Sequence, residues 1–377
     1  MNRPLRILTH AASLEPLGGV EMCTLQDTLA LAERGHHVDL LHGAEGSLRP
    51  TYESAGVGLA GPFPFDFSPR RALRDLAGYL PAVRWARRQR PDVLWLNRAE
   101  HLVWGQTVAR AAGCALICHL HGPPVYQRVR AVGFGVAHYV AVSEFVRQAY
   151  LARGVPAHRI SLLYNAISTA QYPAGGLVER KQARILLGLP DDAPLVLCYG
   201  QMTPEKGVGL LLEAWRALSA QRKDAVLVLV DSSSTGQNTW LERELARLDP
   251  AAYRSFPITR DVVPFLHACD VVAFPSLLPE AFGRVAVEGM ATGRPVVASR
   301  VGAVPEILSG PMSRLLVEPG SVEELATRLA GLLDWRRDEP GLGDECAEWV
   351  MRRFPFEAHV DGLERILQRQ AWTSAER

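Results

Sequence analysis

Leu195-Val196-Leu197-Cys198-Tyr199-Gly200-Gln201-Met202-Thr203-Pro204-Glu205-Lys206-Gly207 is an apolar run that ends in a glycine turn and opens a helix. The same order of strand, glycine turn and helix stands at the start of the chain, where residues 5–8 precede Gly18-Gly19. After each start, short apolar runs alternate with amphipathic segments. In the first half, residues 38–42, 93–97, 115–121, 139–142 and 160–164 read as strands. Residues 101–112 read as a helix, and Ser143 is a suitable N-cap for another reaching 153. In the second half, 225–230, 271–274, 295–298 and 315–317 read as strands. Continuous apolar strands separated by helices predict parallel sheets covered on both faces. The expected fold class is α/β, with two Rossmann-like doubly wound domains facing a central cleft and ligands beyond the carboxyl ends of the strands. The expected limits are 1–170, a linker with a short helix at 171–192, 193–354, and a C-terminal helix at 355–377 that packs back on the first domain.

The length of 377 residues suits two such domains, each able to bury a core without disulfide or metal. Hydrophobic residues at 48% and charged residues at 21% exclude wholesale disorder. A formal net charge of +1 gives no reason to expect nucleic acid as a partner. The six cysteines show no C-x-x-C and no zinc spacing, and read as buried free thiols of a reducing cytoplasm. The N-terminus has no long apolar signal region, and no run reaches the roughly 18 apolar residues of a membrane span, so a soluble, cytoplasmic protein is expected. Only three of the 41 basic residues are lysines, Lys181, Lys206 and Lys223.

Four motifs carry chemistry. Gly18-Gly19-Val20-Glu21 sits at a helix start, where backbone N–H groups favour anions; it does not match the G-x-G-x-x-G of dehydrogenases. His119 and His121 of His119-Leu120-His121-Gly122 share one face at a strand end. They invite metal, but no third ligand is evident and no metal site is expected. Lys206 lies beside a helix N-terminus, where the macrodipole disfavours a cation and a bound phosphate would remove the conflict. The fourth and most informative is Pro279-Glu280-Ala281-Phe282-Gly283-Arg284-Val285-Ala286-Val287-Glu288-Gly289-Met290-Ala291. With a helix starting near Phe282, its N–H groups meet a diphosphate. Glu280 precedes it, and Glu288 lies about two turns in, roughly 9 Å deeper. Carboxylates on either side of an anion site suit a nucleoside diphosphate sugar, whose hydroxyls they accept.

With these motifs in order, nearly the whole chain resembles the retaining glycosyltransferase family 4, of GT-B fold. The matching features are Gly18-Gly19, His121-Gly122, Val142-Ser143-Glu144, Asn165, Lys206-Gly207, Glu280-x7-Glu288, Gly293-x-Pro295-Val296-Val297 and Val301-Gly302-x-x-Pro305-Glu306. The resemblance implies a metal-independent hexosyltransferase that needs no cofactor beyond its nucleotide-sugar co-substrate, UDP-sugar before GDP-sugar. It implies that Lys206 holds the diphosphate, Glu288 the ribose and Glu280 the sugar hydroxyls. Gly19, Gln201, Ala281, Phe282, Gly283 and Arg284 then line the donor, with Ile258 and Arg260 on the base side. Gly18, Asn97, Arg98 and His121 face a small-molecule or glycan acceptor, and His121, Lys206 and Glu280 form the catalytic set. The chain departs from the family pattern at Gln201, where an arginine usually stands, leaving Lys206 alone or Arg284 as substitute. It departs again at Asp231-Ser232-Ser233-Ser234 and at Gly302-Ala303.

No D-x-D occurs, which disfavours metal-clamped transferases of the other common fold. The alternatives are a nucleotide-sugar epimerase of the same architecture and a weakened nucleotide-sugar-binding protein. Residues 61–100 hold eight arginines against four acids, and Arg84-Trp85-x-Arg87-Arg88 makes an amphipathic basic helix. Its plainer reading is a solvated face; its other reading is peripheral contact with anionic lipid. The sequence fixes no oligomeric state.

Overall fold

A computed structural model describes residues 3–16, 18–231, 238–257, 259 and 261–375, with side chains to 371. Among the described residues, thirteen strands form two wholly parallel sheets. The first contains β1 (Arg6–Ala11), β2 (His37–His42), β3 (Gly58–Ala60), β4 (Val93–Leu96), β5 (Ala115–Leu120), β6 (His138–Ala141) and β7 (Ile160–Leu162), in the order β3-β2-β1-β4-β5-β6-β7. The second contains β8 (Leu195–Gly200), β9 (Val226–Asp231), β10 (Tyr253–Phe256), β11 (Val271–Phe274), β12 (Val296–Ser299) and β13 (Leu316–Val317), in the order β10-β9-β8-β11-β12-β13. Ile7 pairs with Val38 on one side and Val93 on the other, so strand order reverses at β1/β4. Val196 likewise pairs with Leu227 and Val271, placing the second reversal at β8/β11. Loops after these strands form the crevices in which doubly wound sheets bind ligands.

The chain divides into two compact units. One comprises the described residues through Asn165 and those from Glu357 onward; the other is Ala166–Phe356. The helix Phe356–Ala375 packs on the first unit through buried Val360, Leu363 and Leu367. On that helix His359 bonds Asp27 at 3.1 Å, and the Arg34 guanidinium reaches Glu357, Asp361 and Glu364 at 2.6–3.0 Å.

Several element limits differ from the sequence reading, each for a physical reason. The strand expected at 93–97 stops at Leu96; the Asn97 N–H turns to His10 Nδ1 at 3.4 Å rather than to a neighbouring strand. β3 and β10 are strands that the sequence pattern does not announce. Both are edges with half-buried or exposed residues, so neither shows a continuous apolar run. Residues 171–192 lie within the second unit rather than between units. The helix Leu177–Leu187 is anchored there by Arg184, fully buried, whose guanidinium donates to the carbonyls of Ala268, Pro190, Asp191 and Ala193 and to Asp270. The Ser143 cap is present, accepting from Val146 N at 3.1 Å, but its helix ends at Leu151.

Candidate functional site

In the second unit the site is built on the carboxyl ends of β8 and β11. After β8, Gln201 is exposed, and a 3-10 turn, Pro204–Lys206, leads into the helix Val208–Gln221. Gly207 joins them at φ 73°, and a Cβ there would stand 1.8 Å from the Pro275 carbonyl oxygen. Only glycine lets this turn touch the loop after β11. Leu277 N donates to the Glu205 carbonyl at 2.9 Å across the same contact. The approach sets Lys206 Nζ 2.7 Å from Glu280 Oε1. The lysine that the helix dipole disfavours is therefore balanced by a carboxylate of the protein itself.

Glu280 is held from behind by the turn after β12. Ala303 N donates to the Glu280 carbonyl at 2.9 Å, and at Gly302 (φ 54°) a Cβ would fall 2.3 Å from that oxygen. The departure Gly302-Ala303 thus keeps the one glycine the contact requires. The expected helix start near Phe282 is corrected. The helix is Arg284–Ala291, capped by Gly283 with no side-chain cap. Phe282 is buried and meets the Phe354 ring edge-on at 5.5 Å, so its apolar character belongs to packing. Ala281 is half-buried beside it.

Glu288 is buried on that helix. Its Oε2 accepts from the Tyr199 hydroxyl at 2.7 Å, its Oε1 accepts from Arg284 Nε at 2.9 Å, and Tyr172 bonds to Glu288 and Arg284. Burial first, and then the Glu288 charge, holds the Tyr199 phenol well above its ordinary pKa, so it stays a donor. The Arg284 guanidinium, named above as a substitute for the family arginine, is ion-paired with Glu288 at 2.9 Å. Ile258 and Arg260, and Ser232-Ser233-Ser234, lie outside the described residues.

In the first unit, Gly18 and Gly19 are exposed at the start of the helix Gly19–Glu33. Arg98, just beyond β4, pairs with the buried Glu21 of that helix and with Glu100 at 3.0 Å, bridging the β1/β4 reversal. Asn97 is buried there against Thr9. His121 follows β5, its ring 4.4 Å from that of His119. His119 is fully buried, and burial, then the neighbouring His121, holds its pKa well down, so it is neutral at pH 7. Among the described residues no three His, Cys, Asp or Glu side chains are grouped to hold a metal. The cysteines are free thiols, and burial raises those of Cys198, Cys269 and Cys346 to about 12. No described helix is long and apolar enough to cross a membrane.

The sequence motifs name Lys206, Glu280 and Glu288 but not the side chains that hold them or their neighbours. Tyr199 stood in plain view beside Gly200, and Glu21 ended the quoted Gly-Gly motif. Tyr172, in a proline-bounded stretch, carried no signal.

Two parallel sheets in Rossmann order, each with a glycine turn at its reversal, define a GT-B protein. Anabaena HepE, solved with UDP-glucose, superimposes with a TM-score of 0.83 at 22% identity, covering 97% of this chain and 100% of that one. Sucrose-phosphate synthase from Thermosynechococcus elongatus gives 0.76 at 21%, covering 97% and 98%. The Glycosyltransferase Family 4 model matches residues 17–171, and the Glycosyl transferases group 1 model matches 193–334. The D-inositol 3-phosphate glycosyltransferase of Mycolicibacterium smegmatis is 27% identical, over 96% of this chain and 91% of its own. A GDP-mannose-dependent mannosyltransferase of Corynebacterium glutamicum, acting on a monoacylated phosphatidylinositol monomannoside, is 25% identical over 74% and 76%. The chain belongs to the family 4 glycosyltransferases, enzymes that draw on a nucleotide-sugar donor.

Proposed function

We propose that this enzyme moves a hexose from a UDP-sugar to a hydroxyl of a small metabolite or glycan intermediate, with retention and without metal. The observation that carries this reading is the cluster at the β8/β11 reversal. Lys206 meets Glu280 there, an uncapped helix start follows, and Glu288 is fixed by Tyr199 and Arg284. The helix start and Lys206 take the diphosphate, Glu288 takes the ribose, and Glu280 takes sugar hydroxyls. On the first unit, Gly18, Asn97, Arg98 and His121 are assigned to the acceptor.

In the front-face route the bond from the anomeric carbon to the departing phosphate oxygen breaks as the acceptor oxygen bonds to the same face. The phosphate oxygen takes the acceptor proton. No protein nucleophile is needed, and stabilising the leaving charge supplies the rate. The donor is tested by thermal shift against UDP, GDP, ADP and dTDP, since a ligand bound only by the native state raises the midpoint. The largest shift is expected with UDP.

Glu288→Ala removes the assigned ribose acceptor, and UDP binding weakens by about 1–3 kcal/mol. Titration calorimetry on the folded variant checks this, and unchanged affinity would refute the donor site. Chelation is a separate test. Transfer continues at full rate in EDTA; complete loss restored by magnesium would put a metal on the diphosphate. Incubation with donor alone yields no epimerised sugar.

A further inference from the structure

At the carboxyl end of the first sheet, beside the β1/β4 reversal, stands a pair of histidines that the donor and acceptor assignments leave unused. His10 is the next-to-last residue of β1 and is fully buried. His101 follows β4 and immediately precedes the helix Leu102–Ala112. His10 Nε2 and His101 Nδ1 are 2.9 Å apart. His10 stacks on the Trp104 ring at 5.3 Å, and the Phe65 ring lies 5.2 Å from one imidazole and 5.3 Å from the other.

The hydrogen bonds of this pair run in one direction. Asn97 N–H donates to His10 Nδ1 at 3.4 Å, so that nitrogen carries no proton. Burial first, and then the neighbouring His101, holds the His10 pKa well down, and the ring is neutral. Its one proton is therefore on Nε2 and is donated to His101 Nδ1. Burial also lowers the His101 pKa, and a neutral His101 then carries its proton on Nε2. That N–H makes no hydrogen bond among the described residues. Asp66 Oδ1 faces it at 3.8 Å, too far for a direct bond.

Asp66 is fixed from its backbone. The buried Tyr79 hydroxyl donates to the Asp66 carbonyl at 2.7 Å and to the Phe65 carbonyl at 3.3 Å, while the Asp66 side chain is 92% exposed. Arg98 is committed to Glu21 and Glu100 and makes no pair with Asp66. Packing alone would be served by apolar rings, without the cost of burying imidazole nitrogens. Here the buried nitrogens are satisfied inward, and the chain ends on one N–H at the rim beside a carboxylate.

We propose that His101 Nε2–H and the Asp66 carboxylate form a subsite for a neutral hydroxyl of the acceptor, with His10 as the positioning residue that fixes the His101 tautomer. A hydroxyl accepts from the N–H and donates to the carboxylate, which bridges the gap between them. A phosphate or carboxylate only accepts and meets the Asp66 charge; an ammonium only donates and meets the N–H. The class that remains is the hydroxyl face of a sugar or polyol. The inference rests on the assignment of the acceptor to the first unit.

The test uses full-length protein with isotopically labelled histidine, long-range proton–nitrogen spectra, and glucose, sorbitol and glycerol as probes, with inorganic phosphate as the contrast. Unliganded His10 and His101 should both be Nε2–H tautomers, identified by the resonances lost in His10→Phe and His101→Gln. In His10→Phe the Nδ1–H form of His101 should appear, a change that a packing role would not produce. At least one of the three polyols should move the His101 Nε2 resonance, and phosphate should not. Asp66→Ala should weaken that polyol's binding about tenfold or more, the scale of one hydrogen bond to a charged acceptor. The Asp66 side chain is exposed, so this variant decides the matter even if His10→Phe does not fold. An Nδ1–H tautomer of His101 in the wild type, a response to phosphate alone, no response to any polyol, or undiminished binding by Asp66→Ala each overturns the proposal. Calorimetry with UDP is read separately: its failure on the wild type would sink the donor reading and leave the histidine spectra to decide this one.

Discussion

Lys206→Ala lowers kcat by about a hundredfold or more, the scale of removing one preorganised group that stabilises developing charge. The expectation rests on where the lysine sits. Gln201, at the turn before it, is uncharged, and Lys206 is the cation assigned to the leaving diphosphate. Its ammonium is held 2.7 Å from Glu280 Oε1 by the Gly207 turn. Deleting it both removes the positive charge and leaves the Glu280 carboxylate uncompensated beside the proposed diphosphate. Lys206→Arg restores charge with a broader, planar head and recovers part of the loss. Single-turnover measurement with saturating donor separates chemistry from binding. A near-normal rate in the alanine variant would mean that another group neutralises the diphosphate.

The same pair shows what was legible in the sequence. Lys206 stands out because a rare lysine at a helix N-terminus conflicts with the dipole, and Glu280 because it precedes a helix start. Each was readable locally. Their contact spans 74 residues and depends on Gly207 approaching Pro275, which no local pattern announces. Arg98 with Glu21, 77 residues apart, is a second case. The strands were readable wherever both faces are buried, as in β4, β5, β11 and β12. The edges β3 and β10 were not, because half-exposed strands lack that apolar signature. At the start of the Arg284–Ala291 helix, the buried Phe282 looked like a helical position. It is a packing residue that precedes a left-handed Gly283 at φ 102°.

Asp270→Asn should destabilise the second unit by about 3–5 kcal/mol, the range for removing one member of a buried ion cluster. Asp270 Oδ1 accepts from Arg180 at 2.9 Å and Arg336 at 3.1 Å, while Oδ2 accepts from Arg184 and from Leu195 N, each at 2.9 Å. The carboxylate thereby ties the helix Leu177–Leu187 to the first residue of β8, at whose far end stand Tyr199 and Gly200. The amide keeps the shape but leaves the fully buried Arg184 without its counter-charge. At roughly 2–4 °C per kcal/mol for a unit of this size, the midpoint falls by about 10 °C in calorimetry. Burial pushes the Asp270 carboxyl up, but the guanidinium groups of Arg180 and Arg184 and the Leu195 amide outweigh it, so its pKa lies below the ordinary carboxylate value. A group depressed in the native state contributes stability that is complete above its unfolded pKa and is lost as pH falls through the native one. Wild-type protein should therefore lose part of its stability below the ordinary carboxylate range. The asparagine variant, already without the charge, should show a flatter acid limb. Equal midpoints at neutral pH and parallel acid limbs would show that the three arginines are satisfied by backbone carbonyls alone.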